Sequence, residues 1–254
     1  MASTPSTPPS RAPFSPCVVI PTYDNTTTIA QVVGAVREKI ADVIVIDDGS
    51  GAPGREAVAG LGRSKLAHVV HRDTNGGKGA AVKTGFEVAR SLGYSHVLQV
   101  DADGQHDLGD LEQFLESARK NPRSLVLGYP LFDESAPRGR VIGRQLTRFF
   151  TTLETGGSAI TDPMCGFRVY PLDAALKASR GTGNRMDFDI EIAVRMVWDG
   201  VAMLNLPTKV RYFKGGVSHF HMFNDNARIT WMHTRLVVGA ILRLLSWPLR
   251  KLAG

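Results

Sequence analysis

The sequence predicts an α/β fold, a single domain with a largely parallel sheet flanked by helices, and two patterns predict it. From Cys17 to Tyr129 short β-branched runs alternate with stretches of helical periodicity, as successive βαβ units do. Polar residues gather directly after those runs, where open parallel sheets place their ligand crevice. At 254 residues and 43% hydrophobic content, the chain can bury one sizeable core.

The elements follow in order. Residues 1–16 are rich in Ser, Thr and Pro, lack the apolar stretch of a secretory signal, and read as a disordered leader. The sequon at Asn25 is then idle, and only two cysteines, Cys17 and Cys165, fit a reducing compartment. A first strand at Cys17–Ile20 leads to Pro21-Thr22-Tyr23-Asp24. Ile29, Val32, Val33, Val36 and Ile40 then recur at helical spacing, with Asn25 and the threonines after it available as caps. A second strand at Val43–Ile46 leads to Asp47-Asp48-Gly49-Ser50. A third at Ala67–His71 leads to Asn75-Gly76-Gly77-Lys78-Gly79 and a helix over Ala80–Leu92. A fourth at His96–Val100 leads to Asp101-Ala102-Asp103-Gly104-Gln105-His106, then a helix over Leu108–Lys120 and a fifth strand at Ser124–Leu127.

The strand tips carry the chemistry. Asp101, Asp103 and the amide of Gln105 form a hard oxygen set suited to Mg²⁺ or Mn²⁺, which keeps waters and takes further ligands from phosphates. A solvated Asp-rich turn is the plain alternative. A second acidic pair at a neighbouring tip favours the ligand reading, because two such clusters repel unless something offsets their charge. Asp48 is assigned to a ribose hydroxyl or a base N–H, and Lys78, on a Gly-rich loop before a helix, to a pyrophosphate.

Two other motifs compete. Gly49-Ser50-Gly51-Ala52-Pro53-Gly54 matches a dinucleotide fingerprint after a strand, yet Asp47 and Asp48 would set negative charge beside a pyrophosphate and Pro53 stiffens the loop. The Lys78 loop fails as a Walker motif, since Gly79 stands where a Ser or Thr should hold the metal.

Val18-Val19-Ile20-Pro21-Thr22-Tyr23, Ile46-Asp47-Asp48-Gly49-Ser50, Gly77-Lys78-Gly79, Asp101 to His106, and Asp162-Pro163-Met164-Cys165-Gly166-Phe167-Arg168 together resemble the family 2 glycosyltransferases. The likeness is greatest to dolichyl- and polyprenyl-phosphate mannosyl- and glucosyltransferases. The resemblance implies a GT-A fold, a Rossmann-like nucleotide-binding sheet, over about residues 17–227. It implies a nucleoside-diphosphate sugar bound by Pro21, Thr22, Tyr23, Asp24, Asp48, Lys78, Asp101, Ala102 and Asp103. It also implies a Mg²⁺ or Mn²⁺ site at Asp101, Asp103 and Gln105, with transfer of a hexose by inversion. Asp162 matches the family's acidic residue near the acceptor and, with Asp103, is expected to be catalytic. A phosphate acceptor needs no base, so Asp162 either positions or deprotonates, and capping the turn before Pro163 is its structural alternative. A glycan or other lipid hydroxyl as acceptor, and a sugar-phosphate nucleotidyltransferase, remain alternative readings.

Arg138, Arg140, Arg144 and Arg148 lie where such enzymes place arginines for an acceptor phosphate, and equally describe a basic solvated helix face. Arg140, Arg144, Arg168, Arg211 and Lys214 are the expected phosphate contacts. His219 and His221 depart from the family's pattern; either could reach a metal or phosphate, and alternation around Phe220 equally describes a plain strand with two exposed rings, the favoured reading. The +6 net charge and a pI near 9.5 favour anionic partners. The expected ones are the sugar nucleotide, a lipid phosphate and an anionic membrane surface, with no nucleic acid among them. Over residues 228–254, Arg228, Arg235, Arg243 and Arg250 share one helix face opposite Trp231, Leu242, Leu245 and Leu249. Such a helix lies in a membrane interface or packs on the domain or a second subunit, and Pro248 is expected to kink or end it. The expected location is cytoplasmic, peripheral on the cytoplasmic face of a membrane.

Overall fold

A computed structural model describes residues 14–131, 138–157, 159–210 and 222–252. Strands β1 (Pro16–Thr22), β2 (Val43–Asp47), β3 (His68–His71) and β4 (His96–Gln99) run parallel in the order β3-β2-β1-β4. Their side chains alternate between two cores. Cys17, Val19, Ile44 and Ile46 enter one, and Val18, Ile20, Val43 and Val45 the other. Burial on both faces is why these strands read as continuous apolar runs. Helices α1 (Ile29–Arg37) and α2 (Ala52–Arg63) cover the Val18 face through Ile29, Val32, Val33, Val36, Val58 and Leu61. Helix α3 (Lys78–Ser91) covers the Cys17 face through Ala81, Val82 and Phe86.

A 3₁₀ turn at Leu108–Asp110, capped by the Asp107 carboxylate on the Gly109 amide at 3.0 Å, leads into α4 (Leu111–Lys120). The rest of the chain supplies β5 (Leu125–Leu131), α5 (Arg138–Thr155), β6 (Arg168–Pro171), α6 (Leu172–Ala178), α7 (Phe188–Trp198), β7 (Met203–Lys209) and α8 (Met222–Leu252). Among the described residues the sheet has seven strands in the order β3-β2-β1-β4-β6-β5-β7, with β6 antiparallel to both neighbours. The predicted α/β class holds. β6 and β7 escape the sequence reading because β6 is four residues long and opens on an arginine, while Asn205 and Pro207 interrupt β7. Pro207 is tolerated because β7 is an edge strand.

Several boundaries differ from expectation: β1 opens at Pro16, α3 at Lys78, and β5 runs on to Leu131. β1 runs on to include Pro21 and Thr22, which pair with Ile46 and Asp47. Helix α8 starts at Met222 and continues past Pro248, whose missing N–H costs one hydrogen bond close to the helix end. Met232 and Leu236 of α8 are buried against the domain.

Candidate active site

The first parallel strands deliver their carboxylates to one edge, and each is fixed by short-range partners. Asp47 Oδ1 accepts the Ser50 amide at 3.0 Å, and Oδ2 lies 2.7 Å from His71 Nδ1. Burial opposes ionisation of Asp47, and the Ser50 and His71 contacts outweigh it, so its carboxyl sits below the usual range. Asp48 pairs with Arg72 and accepts the amides of Gly76 (3.2 Å) and Gly77 (2.7 Å). Gly77 meets this demand with φ +97°, a region other side chains rarely adopt. Asp48 therefore clamps the β3–α3 loop, and Arg72, which the sequence did not single out, is part of that clamp.

Tyr23 is partly exposed and Asp24 exposed at the tip of β1. Asp24 has φ 48°, tolerable for a short polar side chain, and its Oδ1 accepts the Gly51 amide at 2.8 Å. That contact occupies the start of α2, where a dinucleotide fingerprint would need a pyrophosphate. The Asp24 charge, then burial, raises the Tyr23 phenol.

After β4, the Ala102 carbonyl is gripped by Asn25 Nδ2 at 2.9 Å and Thr28 Oγ1 at 2.6 Å, which ties the Asp101–Asp103 turn to the start of α1. Sequence reasoning placed Asn25 and the threonines as caps only. Asn25 does cap, accepting the Thr28 and Ile29 amides at 3.0 and 3.2 Å, and the grip on Ala102 is a second role that needed the fold to be seen. Asp101, Asp103, Gln105, His106, Arg144, Met164, Cys165, Gly166 and Val210 line one pocket. Burial opposes ionisation of Asp101, but the Lys78 charge and His106 overcome this and hold its carboxyl well below the usual range. Burial and then the Asp101 charge raise Asp103.

Two close carboxylates of which one resists ionisation are a donor set that a divalent cation would relieve, so Asp101, Asp103 and Gln105 fit a hard ion. Among the described residues no three His, Cys, Asp or Glu side chains form a metal cage by themselves. A set of this size leaves coordination positions to water and phosphate oxygens. Lys78, the first residue of α3, places Nζ 2.7 Å from Asp101 Oδ1 and 2.8 Å from Asp189 Oδ2. Asp189, on α7, had no sequence signal beyond its place in an apolar helix.

Asp162 joins the site from the segment before β6. Its Oδ1 accepts the Met164 and Cys165 amides, both at 2.8 Å, so the turn-capping reading is realised. The same carboxylate takes both contacts from Arg144 Nη1, at 2.7 and 2.5 Å. Arg168 is a correction. It is fully buried, and its guanidinium donates to the carbonyls of Cys165 (2.6 Å), Pro163 (2.7 Å) and Asp189 (2.6 Å). A group spent on internal carbonyls pins the segment and has no face left for an acceptor phosphate. Arg140 lies on the first turn of α5, its side chain outside the described residues; Arg211, Lys214, His219 and His221 are outside them altogether.

Helix α8 turns only part of its arginine face inward: Arg235 and Arg243 reach the domain, whereas Arg228 is exposed and the side chain of Arg250 lies outside the described residues. Arg235 Nη2 meets Glu191 at 3.2 Å, Arg243 donates to the Trp198 carbonyl at 2.5 Å, and His233 Nδ1 lies 2.6 Å from Glu154 of α5. Its apolar side faces out, with Trp231 64% and Leu245 68% exposed. Ile142, Leu146, Phe149 and Leu153 form a second exposed stripe along α5. No helix among the described residues is long and apolar enough to cross a membrane.

Comparison with known proteins agrees with this geometry. The chain is 28% identical to the polyprenol monophosphomannose synthase of Mycolicibacterium smegmatis over 92% of its own length and 86% of the relative's. It is 29% identical to the undecaprenyl-phosphate mannosyltransferase of Micrococcus luteus over 69% and 76%. Its fold superposes on glucosyl-3-phosphoglycerate synthase of Mycobacterium tuberculosis, solved with Mn²⁺, UDP-glucose and phosphoglyceric acid, with TM-score 0.61 and 14% identity over 89% and 79% of the two chains. The profile of Glycosyl transferase family 2 matches residues 17–177, the stretch that carries every strand-tip motif described above. With more than half of its length under that profile, the chain is an enzyme belonging to glycosyl transferase family 2.

Proposed function

We propose that this glycosyltransferase moves a hexose from a UDP- or GDP-sugar to a polyprenyl phosphate, or a related lipid acceptor, at a membrane surface. One observation carries the reading: a hard-oxygen cation set (Asp101, Asp103, Gln105) and a guanidinium (Arg144) line the same pocket. Cation and arginine side by side suit a reaction in which both reactants are phosphates. The names of the Mycolicibacterium and Micrococcus relatives support the lipid-phosphate acceptor, and the Mn²⁺ and UDP-glucose of the M. tuberculosis structure support the donor and the ion.

Asp101 and Asp103, with Gln105, hold Mg²⁺ or Mn²⁺ in this reading. A divalent ion bound there would supply positive charge against that growing on the departing nucleoside diphosphate. Pro21, Thr22, Tyr23, Asp24 and Ala102 border the nucleotide, and the Asp48 clamp fixes the loop beneath it. Arg144 receives the acceptor phosphate and leaves Asp162 to orient it. The phosphate oxygen is already anionic, so it bonds to the anomeric carbon without a base, while the bond to the diphosphate breaks with its electron pair on the leaving group. Attack opposite the leaving group inverts the anomeric centre.

The catalytic domain in this proposal runs to residue 227 and takes in Phe14, Ser15 and Pro16 from the expected leader, because Phe14 packs on the core, the Ser15 amide donates to Ser95 and Pro16 opens β1. The segment 228–254, with α5, rests on the cytoplasmic face of an anionic membrane. The outward apolar stripes of α5 and α8 support that placement, because surface this apolar gains from leaving water.

The test supplies polyprenyl phosphate in anionic vesicles with each UDP- or GDP-hexose and Mn²⁺. The expected result is release of nucleoside diphosphate that depends on the acceptor, with the hexose recovered in the lipid phase. Release that depends instead on a hydroxyl acceptor, or no release with any donor, would refute the assignment.

A further inference from the structure

We propose that the Lys78 ammonium is the site's own counter-ion, held between Asp101 and Asp189, and that a divalent cation must displace it from Asp101. Asp189 is then a positioning residue that keeps the displaced ammonium in place. The inference rests on the cation reading of Asp101 and Asp103 given above, and deepens it.

Lys78 Nζ touches both oxygens of Asp101, at 2.7 and 2.9 Å, and one oxygen of Asp189 at 2.8 Å. The lysine side chain is 17% exposed and that of Asp189 6%, so neither charge is well served by water. Burial works against the Lys78 charge, and the two carboxylates outweigh it. Gly166 closes the cage from the opposite side. A Cβ there would stand 2.5 Å from Asp101 Oδ2 and 2.7 Å from Lys78 Nζ, so any larger residue would have to push the ion pair aside.

Asp189 is itself anchored. Its Oδ1 accepts Gln99 Nε2 at 3.1 Å, Gln99 Oε1 accepts the Tyr170 hydroxyl at 3.2 Å, and Arg168 donates to the Asp189 carbonyl at 2.6 Å. A carboxylate held this firmly, with its second oxygen on Lys78, is a fixed acceptor. Lys78 keeps Asp101 ionised and in place before the divalent ion arrives. Afterwards Asp189 alone retains Lys78, and the ammonium no longer competes.

Calorimetric titration of Mn²⁺, without nucleotide, into the full chain and its variants tests this, with thermal melts to confirm folding. Lys78→Met removes the competitor and should tighten Mn²⁺ binding by about tenfold or more. Lys78→Gln, which keeps a polar side chain in the cage, should shift it the same way and serves if the methionine variant unfolds. Asp189→Asn leaves the ammonium to Asp101 alone and should weaken Mn²⁺ by about tenfold, an effect that vanishes when Lys78 is already Met. Unchanged or weaker Mn²⁺ affinity in folded Lys78 variants overturns the proposal while leaving the cation site standing. So does an Asp189→Asn effect equal in both backgrounds, which would mean that Asp189 acts by its own charge. No Mn²⁺ binding by any form refutes the cation site itself.

Discussion

Asp48 and Asp162 are both acidic residues at the crevice, each bound to an arginine and two backbone amides, yet they sit in different kinds of structure. Asp48 is held by Arg72, Gly76 and Gly77, all on the loop after the neighbouring strand. Asp162 is held by its own turn and by Arg144, which belongs to the 18-residue helix α5. The far end of α5 is tied in turn, through Glu154 and His233, to α8. In the proposed reading the donor side is held by short loops on a buried sheet, while the acceptor side takes its geometry from two helices that carry exposed apolar stripes. The proposed pairing of one water-soluble and one lipid-borne reactant accords with that difference.

The largest expected effect breaks the donor side. Asp103→Ala should lower turnover at least about 100-fold by removing part of the charge stabilisation of the leaving group. Steady-state rates of nucleoside-diphosphate release check it, and wild-type turnover would dissolve the distinction between the two sides. On the acceptor side, Arg144→Gln should raise the acceptor KM roughly ten- to hundredfold, the value of a charge-assisted contact, with affinity for the nucleotide unchanged. If nucleotide affinity falls by the same factor, Arg144 serves the donor and the division drawn here is wrong.

A smaller effect sharpens the role of the helices. Replacing Leu146 and Phe149 of α5 by serine should reduce partition onto anionic vesicles about tenfold or more, read by flotation, and leave nucleotide binding intact. The smallest concerns Cys165, whose thiol is pushed up to about 12, by burial first and then by the Asp162 charge. At pH 8 in the native chain it should resist iodoacetamide, and rapid labelling would mean that the Asp162 turn opens readily.

The same division governs what the sequence disclosed. The parallel strands and their polar tips were legible because each is a local run followed by its own loop. Asp101, Asp103 and Asp48 could be picked out without knowing what lay across the sheet. Arg168 was misjudged because a Gly-Phe-Arg run does not reveal that an antiparallel strand will turn the guanidinium onto buried carbonyls. Asp189 was invisible, since its partners Lys78 and Gln99 are 111 and 90 residues away. For α8, sequence alone did not say that Glu191 and the Trp198 carbonyl would draw Arg235 and Arg243 inward and leave Arg228, Trp231 and Leu245 outside.

The most direct measurement of the central claim is the affinity of the chain for UDP- and GDP-hexoses with and without Mn²⁺, set beside that of Asp103→Asn. Binding that strengthens with Mn²⁺ in the native chain and loses this dependence in the variant is the predicted result. Binding indifferent to Mn²⁺, or equally Mn²⁺-dependent in both proteins, would contradict the account.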